Sequence, residues 1–173
     1  MAAQPQSRPV SPVAPDDRAA ELITLLTARE QSIAVAESLT GGMLAAALTD
    51  IPGASAVFRG GVVAYATELK AVLLGVDRGL LDAHGAVSSE VAAAMAEGVS
   101  SRLGAAVGVA TTGVAGPDPA EGKPAGTVYI AASAGGKTQV RRLALSGSRA
   151  AIRAATVREA LGLILVFVRE ETG

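Results

Sequence analysis

The chain holds two Phe, two Tyr and no Trp among 173 residues, yet half of its residues are hydrophobic. Its core must therefore be assembled from Ala, Val, Leu and Ile. Such small side chains let helices settle close against a sheet. The same scarcity leaves no aromatic platform on which bases could stack. A formal net charge of −1 argues against a broad cationic nucleic-acid surface. With 18% charged residues, the composition is that of a folded chain, not a disordered one. The length suits one domain that buries roughly 70% of its unfolded surface.

Cysteine is absent and histidine occurs once, at His84. This removes disulfides, thiolate–zinc sites and a thiol nucleophile, and no spaced acidic cluster suggests a metal. No cofactor is expected. The longest strongly apolar run, Leu161 to Val168, is too short to span a membrane, and the N-terminus has no signal-peptide core. The expectation is a cytoplasmic protein with no membrane or nucleic-acid partner.

Residues 1–15 carry four of the eight prolines and read as a disordered tail, leaving 16–173 as the domain. Asp16 and Asp17 open a helix that runs to about Arg29, with Leu22, Ile23, Leu25 and Leu26 on its buried face. Ser32 to Ala36 reads as a buried strand, and Met43 to Thr49 as an Ala/Leu helix. Phe58 to Tyr65 is a second strand, followed by a helix over Thr67 to Leu74 and a short one over Asp77 to Ala83. Ser88 caps a helix whose stripe is Val91, Met95, Val99 and Leu103. Ala105 to Thr111 is a third strand, and Thr112 to Lys123 a Gly/Pro-rich loop. Thr127 to Ser133 and Thr138 to Leu145 form a hairpin at Gly135-Gly136. Ser146 or Ser148 caps the last helix, with Val157, Leu161, Ile164 and Val168 as its stripe. Helix-separated early strands predict parallel pairing, and the hairpin adds an antiparallel pair. The expected fold is α/β: a three-layer α/β/α sandwich with a mixed, mostly parallel sheet of about five strands.

In such a sheet, ligands bind beyond the carboxyl ends of the parallel strands. Three segments qualify. The first is Glu37-Ser38-Leu39-Thr40-Gly41-Gly42, where a hydroxyl meets the free N–H groups of a helix start. Those groups can hold a phosphate or an oxyanion, and Gly41 and Gly42 allow close backbone approach. The alternative is that Ser38 or Thr40 is only a helix cap. The second segment is Tyr65 with Lys70 one turn into the following helix. A Ser–Lys pair performs acyl transfer without histidine when the lysine is held neutral, and Tyr65 could relay its proton or orient the amine. Otherwise Lys70 is a solvated helix lysine and Tyr65 a packed strand-end residue. The third segment, Thr112 to Gly116, could cradle a phosphate or ribose, and no Walker Gly-Lys-Ser/Thr follows it. Gly147-Ser148-Arg149 could grip an anion or be an ordinary cap with a surface arginine. His84 reads as a turn residue.

In order along the chain stand Ala36-Glu37-Ser38-Leu39-Thr40-Gly41-Gly42, Pro52-Gly53-Ala54-Ser55 and Gly61-Val62-Val63-Ala64-Tyr65. Gly85-Ala86-Val87-Ser88, Thr112-Gly113-Val114-Ala115-Gly116-Pro117 and Lys123-Pro124-Ala125-Gly126-Thr127-Val128 follow. Over residues 17–170 this pattern resembles the C-terminal domain family of competence/damage-inducible protein CinA, which includes stand-alone nicotinamide-nucleotide amidohydrolases. The resemblance implies a three-layer α/β/α sandwich and a nicotinamide mononucleotide deamidase. That activity gives nicotinic acid mononucleotide and ammonia in pyridine nucleotide recycling. It places the catalytic Ser, Tyr and Lys on Ser38, Tyr65 and Lys70. It places substrate-binding roles on Thr112 and Gly113, and on Arg149 of a late Gly-Asp-Arg motif. Thr40, Gly41, Gly42 and Gly116 complete the expected substrate-binding set.

The chain departs from the family pattern at four places. Leu39 replaces a common Cys, Ala66-Thr67 a Ser-Asn, Asp118 a Gly, and Ser148 the Asp of the late motif. The pyrophosphatase activity of the N-terminal domain found in larger members is not carried over. One rival reading is a catalytically silent nucleotide-binding or protein-interaction module of the competence/DNA-damage type. Another is a general Ser–Lys amidase for phosphate-free amides. The apolar circumference of the last helix indicates deep burial or self-association, and a homo-oligomer is expected.

Overall fold

The computed structural model describes residues 16–170. The N-terminal tail expected over 1–15 lies outside them. The first helix, α1 (Asp17–Ala28), is capped by Asp16, whose Oδ1 accepts from the Arg18 amide at 2.9 Å. Next come β1 (Ile33–Glu37), α2 (Met43–Thr49), β2 (Phe58–Val63), α3 (Thr67–Leu74) and α4 (Arg78–His84). Then follow α5 (Ser89–Leu103), β3 (Val107–Gly113), β4 (Thr127–Ala134), β5 (Lys137–Ala144) and α6 (Arg149–Glu170). Ser88 caps α5 by accepting from the Val91 amide at 3.3 Å. Between the two candidate caps of α6, it is Ser148 that accepts, from Ala151 at 3.2 Å.

The sheet has the order β2-β1-β3-β4-β5. Strands β2, β1 and β3 are parallel, and β4 runs antiparallel to both β3 and β5. Four strands therefore point one way and β4 the other. The hairpin turns at Gly135 and Gly136, with φ of 57° and 78°, the left-handed pair that a two-residue turn requires. One face of the sheet packs against α1, α2 and α6 through Val35, Val109 and Ile130. The other packs against α3, α4 and α5 through Ala34, Ala36, Ala110 and Ala131. This is the three-layer sandwich.

The small-residue core shows most clearly under α5. A Cβ at Gly108 of β3 would stand 2.0 Å from the Ala96 carbonyl, and one at Gly98 of α5 would stand 2.1 Å from the Leu74 carbonyl. Helix α5 thus sits backbone-on-backbone against β3 and α3, and no side chain fits at either glycine. On the opposite face, Leu161, Leu163, Ile164, Leu165, Phe167 and Val168 of α6 are all buried within the chain itself. Of the two readings of that apolar circumference, burial accounts for it. Among the described residues, no helix is long and apolar enough to cross a membrane.

Two strands end two residues away from the sequence reading, and the other three end within one residue of it. Strand β3 continues through Thr112 and Gly113, because these pair with Tyr129 and Val128 of β4. Strand β2 stops at Val63, because its partner β1 ends at Glu37, the residue that pairs with Val63. Tyr65 therefore stands beyond the sheet, and Thr112-Gly113 stands on it.

Candidate active site

The parallel ends of β1, β2 and β3 open onto a cavity of about 480 Å³. Its walls come from all three expected segments: Ser38 after β1, Tyr65 and Lys70 around α3, and Thr112 through Asp118 at the end of β3. Arg149, at the first turn of α6, completes the rim. The topology thus gathers residues that are distant in sequence.

Lys70 lies one turn into α3, and its side chain turns back beneath the end of β2. It is only 1% exposed, among the largest fully buried side chains of the described residues. Its Nζ donates to the Ala64 carbonyl at 2.8 Å and lies 3.2 Å from Ser38 Oγ. Burial lowers its pKa from the ordinary lysine value of 10.5, while the negative charges of Glu121 and Glu68 push the other way. Burial is the larger effect. An amine held by one carbonyl, desolvated and within reach of a serine hydroxyl is the arrangement a Ser–Lys dyad requires. The solvated-lysine alternative is excluded by this geometry.

Ser38 is nearly buried, and its amide donates to the Thr111 carbonyl at 3.0 Å, tying the turn after β1 to β3. Neither Ser38 nor Thr40 caps α2. The cap is the carboxylate of Glu37, itself 1% exposed. Glu37 Oε2 accepts from the Gly42 and Leu44 amides at 3.1 and 3.0 Å, and Oε1 from Ala45 at 2.8 Å. The N-terminus of α2, one of the places where a phosphate or an oxyanion could be held, is already occupied by the chain's own carboxylate.

This changes the roles of three residues expected to bind substrate. Gly41 and Gly42 adopt φ of 57° and 99° and form the turn. The Gly41 amide donates to the Ser38 carbonyl at 3.1 Å, and Gly42 serves Glu37. Thr40 is fully buried, with its Oγ1 2.7 Å from Thr111 Oγ1. None of the three lines the cavity. They shape the Ser38 turn from behind.

Tyr65 is 57% exposed, and its hydroxyl accepts from Arg149 Nη2 at 2.8 Å. The structure thus binds Tyr65 to the arginine, where the sequence reading considered it a partner of Lys70. The Ala64 carbonyl orients the amine instead. Arg149 also donates through Nη1 to the Gly116 carbonyl at 2.6 Å, next to the cis Gly116–Pro117 bond. The guanidinium is thereby held at the cavity rim. Thr112 and Gly113 line the cavity as expected, and Thr112 Oγ1 donates to the Ala86 carbonyl at 2.7 Å. Three of the departures from the family pattern, Leu39, Thr67 and Asp118, also stand on its wall.

Three contributors escaped the sequence reading. Glu121 lines the cavity and accepts from the Ala86 and Val87 amides at 3.0 Å each. Arg153 donates to the Leu39 and Thr40 carbonyls at 2.9 and 3.0 Å, bracing the Ser38 turn from α6. Glu37 is the third. Its place next to the serine was visible, but its aim into the following helix was not.

The fold and cavity together define a three-layer α/β protein with an open, ligand-sized site and a buried Ser–Lys pair at the strand ends. The family model for the CinA C-terminal domain matches residues 16–168, and the chain belongs to that family. It is 59% identical over 143 residues to a CinA-like protein of Frankia casuarinae, covering 83% of this chain and 33% of the relative. A CinA-like protein of Gemmatimonas aurantiaca is 47% identical over 157 residues, covering 90% of this chain and 37% of that one. The chain thus spans about a third of the length of these curated relatives. Among solved structures, the competence/damage inducible protein CihA from Agrobacterium tumefaciens superposes with a TM-score of 0.84 at 39% identity. That match covers 87% of this chain and 93% of the other. A CinA superfamily protein from Klebsiella pneumoniae gives 0.86 at 34% identity, covering 89% and 97%.

Proposed function

We propose that this chain is a nicotinamide mononucleotide deamidase working through Ser38 and Lys70. The observation that carries this reading is the buried Lys70 Nζ, held by the Ala64 carbonyl within 3.2 Å of Ser38 Oγ. Neutral Lys70 takes the Ser38 proton as Oγ attacks the carboxamide carbon. The tetrahedral adduct collapses with cleavage of the C–N bond, and the Lys70 ammonium returns the proton to the departing nitrogen as ammonia. Water then attacks the acyl-enzyme with Lys70 again as base, releasing the carboxylate and restoring Ser38. The Ser38, Gly41 and Gly42 amides are committed elsewhere and Thr40 is buried off the cavity, so the oxyanion role falls to the amide of Leu39, which lines it. Arg149 receives the phosphate, with Thr112 and Gly113 along the ribose.

The test is ammonia release from nicotinamide mononucleotide by the purified chain. Release from the nucleotide but not from free nicotinamide supports the reading, and no release by folded protein overturns it in favour of the silent binding module. Arg149→Ala is expected to raise KM about 10- to 30-fold while changing kcat little, as loss of one charge-assisted phosphate contact would. An unchanged KM would instead favour an amidase for phosphate-free substrates.

A further inference from the structure

The cavity has its charges arranged unevenly. Arg149 is a cation held at the rim by Tyr65 and the Gly116 carbonyl. The β3–β4 loop contributes two acids to the wall, Asp118 and Glu121. Glu121 is fixed in place: both its oxygens accept backbone N–H groups, from Ala86 and Val87, at 3.0 Å. Ala86 in turn accepts from Thr112, so Glu121, the α4–α5 turn and the end of β3 form one braced wall. Of the neighbouring charges, Glu121 acts most strongly on Lys70, which places its field at the reacting end of the cavity. Lys123 Nζ, 3.9 Å from Glu121 Oε2, is not part of the wall and offsets that field only from outside.

A carboxylate there is a poor neighbour for an anionic ligand, but a good one for a ligand that is negative at one end and positive at the other. We infer that Glu121 is a specificity determinant that selects a cationic heteroaromatic ring, with the ligand's phosphate on Arg149 and its positively charged ring beside Glu121. The inference rests on the proposed substrate class and deepens it. An N-glycosylated pyridine carboxamide carries its positive charge in the ring that bears the amide. With the amide carbon at Ser38 and the phosphate at Arg149, that ring falls on the stretch of wall that Glu121 occupies. The charge favours the substrate over uncharged amides of the same shape. It also explains how the site tolerates Asp118 where the family pattern has glycine: the added acid faces a ligand that is not uniformly anionic.

The experiment is calorimetric titration of the full chain, carrying Ser38→Ala so that no ligand is consumed. Two ligands are compared: nicotinamide mononucleotide, whose ring is a cation, and its reduced form, with the same amide, ribose and phosphate on an uncharged ring. The cationic form is expected to bind about five-fold more tightly, as one partly solvated charge pair at short range would give. Because the reduced ring also differs in shape, the charge effect is read from how the ratio moves. Adding Glu121→Gln should bring the two affinities within about two-fold of each other. Adding Lys123→Met, which removes the opposing charge from outside the cavity, should widen the ratio. Equal binding of the two forms, or a ratio that a folded Glu121→Gln leaves unchanged, overturns the inference. Should Glu121→Gln fail to fold, a ratio unmoved by Lys123→Met overturns it equally. Failure of both nucleotides to bind would instead overturn the substrate class on which the inference stands.

Discussion

Lys70→Met is expected to lower kcat for ammonia release by about a thousandfold, and Ser38→Ala to do the same. Methionine fills the lysine's space with an unbranched apolar chain, so the sandwich around α3 is kept while the amine is lost. The two residues act as a unit through one 3.2 Å contact, so the double variant should be no worse than either single one. Steady-state ammonia assays on the four proteins check this. A near-normal kcat in either single variant, or losses that simply multiply in the double, would remove the dyad. Because the amine must be neutral to act, kcat/KM should climb with pH along one limb centred below the ordinary lysine range.

The same buried amine makes a prediction about stability, and its sign can be worked out. The folded-state pKa of Lys70 is lowered from 10.5 chiefly by desolvation, so the unfolded chain binds the proton more readily. Stability therefore rises with pH between the folded and unfolded values, and the cost of burying the ammonium is fully present below both. Lys70→Met has no such group. Urea denaturation at a series of pH values should show wild type gaining on Lys70→Met as pH rises toward 10.5 and then levelling. A difference constant with pH would mean that Lys70 titrates as an ordinary exposed lysine.

Most of this fold could be read from the chain because its signals are local. The hairpin at Gly135-Gly136, the Ser88 cap and the four-residue stripe of α5 each rest on adjacent residues. Strand ends were less legible: whether Thr112 belongs to a strand depends on Tyr129 across the sheet. The site follows the same division. Ser38 and Lys70 are found from their positions after parallel strands. Glu121 stands in an irregular loop at φ 51°, with no periodicity to mark it, and its partners lie 34 and 35 residues away. The pairing of Tyr65 with Arg149 spans 84 residues and two layers, so position after a strand suggested a different partner for the tyrosine. Long-range polar contacts are set by the packing of whole layers, which local patterns do not encode.

Glu37 shows what such a contact does, and its replacement should be the most destabilising change at the site that leaves the dyad itself intact. Its carboxylate satisfies three amides at the start of α2 that would otherwise be orphaned beside the core. Alanine there leaves the Leu44 amide, in a buried residue, and those of Gly42 and Ala45 without their acceptor. Glu37→Ala is expected to cost about 3 kcal/mol, more than an ordinary cap because three bonds to a charged group are lost in a buried setting. Since Ser38 is the next residue and its carbonyl closes the same turn through Gly41, the loss should also reach the nucleophile. The kcat should fall about a hundredfold, with KM little changed because Arg149 is untouched. Glu37→Gln keeps one carbonyl acceptor and should recover part of both losses. Urea melts and ammonia kinetics on the two variants provide the check. An alanine variant within about 0.5 kcal/mol of wild type would show that water replaces the carboxylate without penalty. The N-terminus of α2 would then be open to a ligand after all.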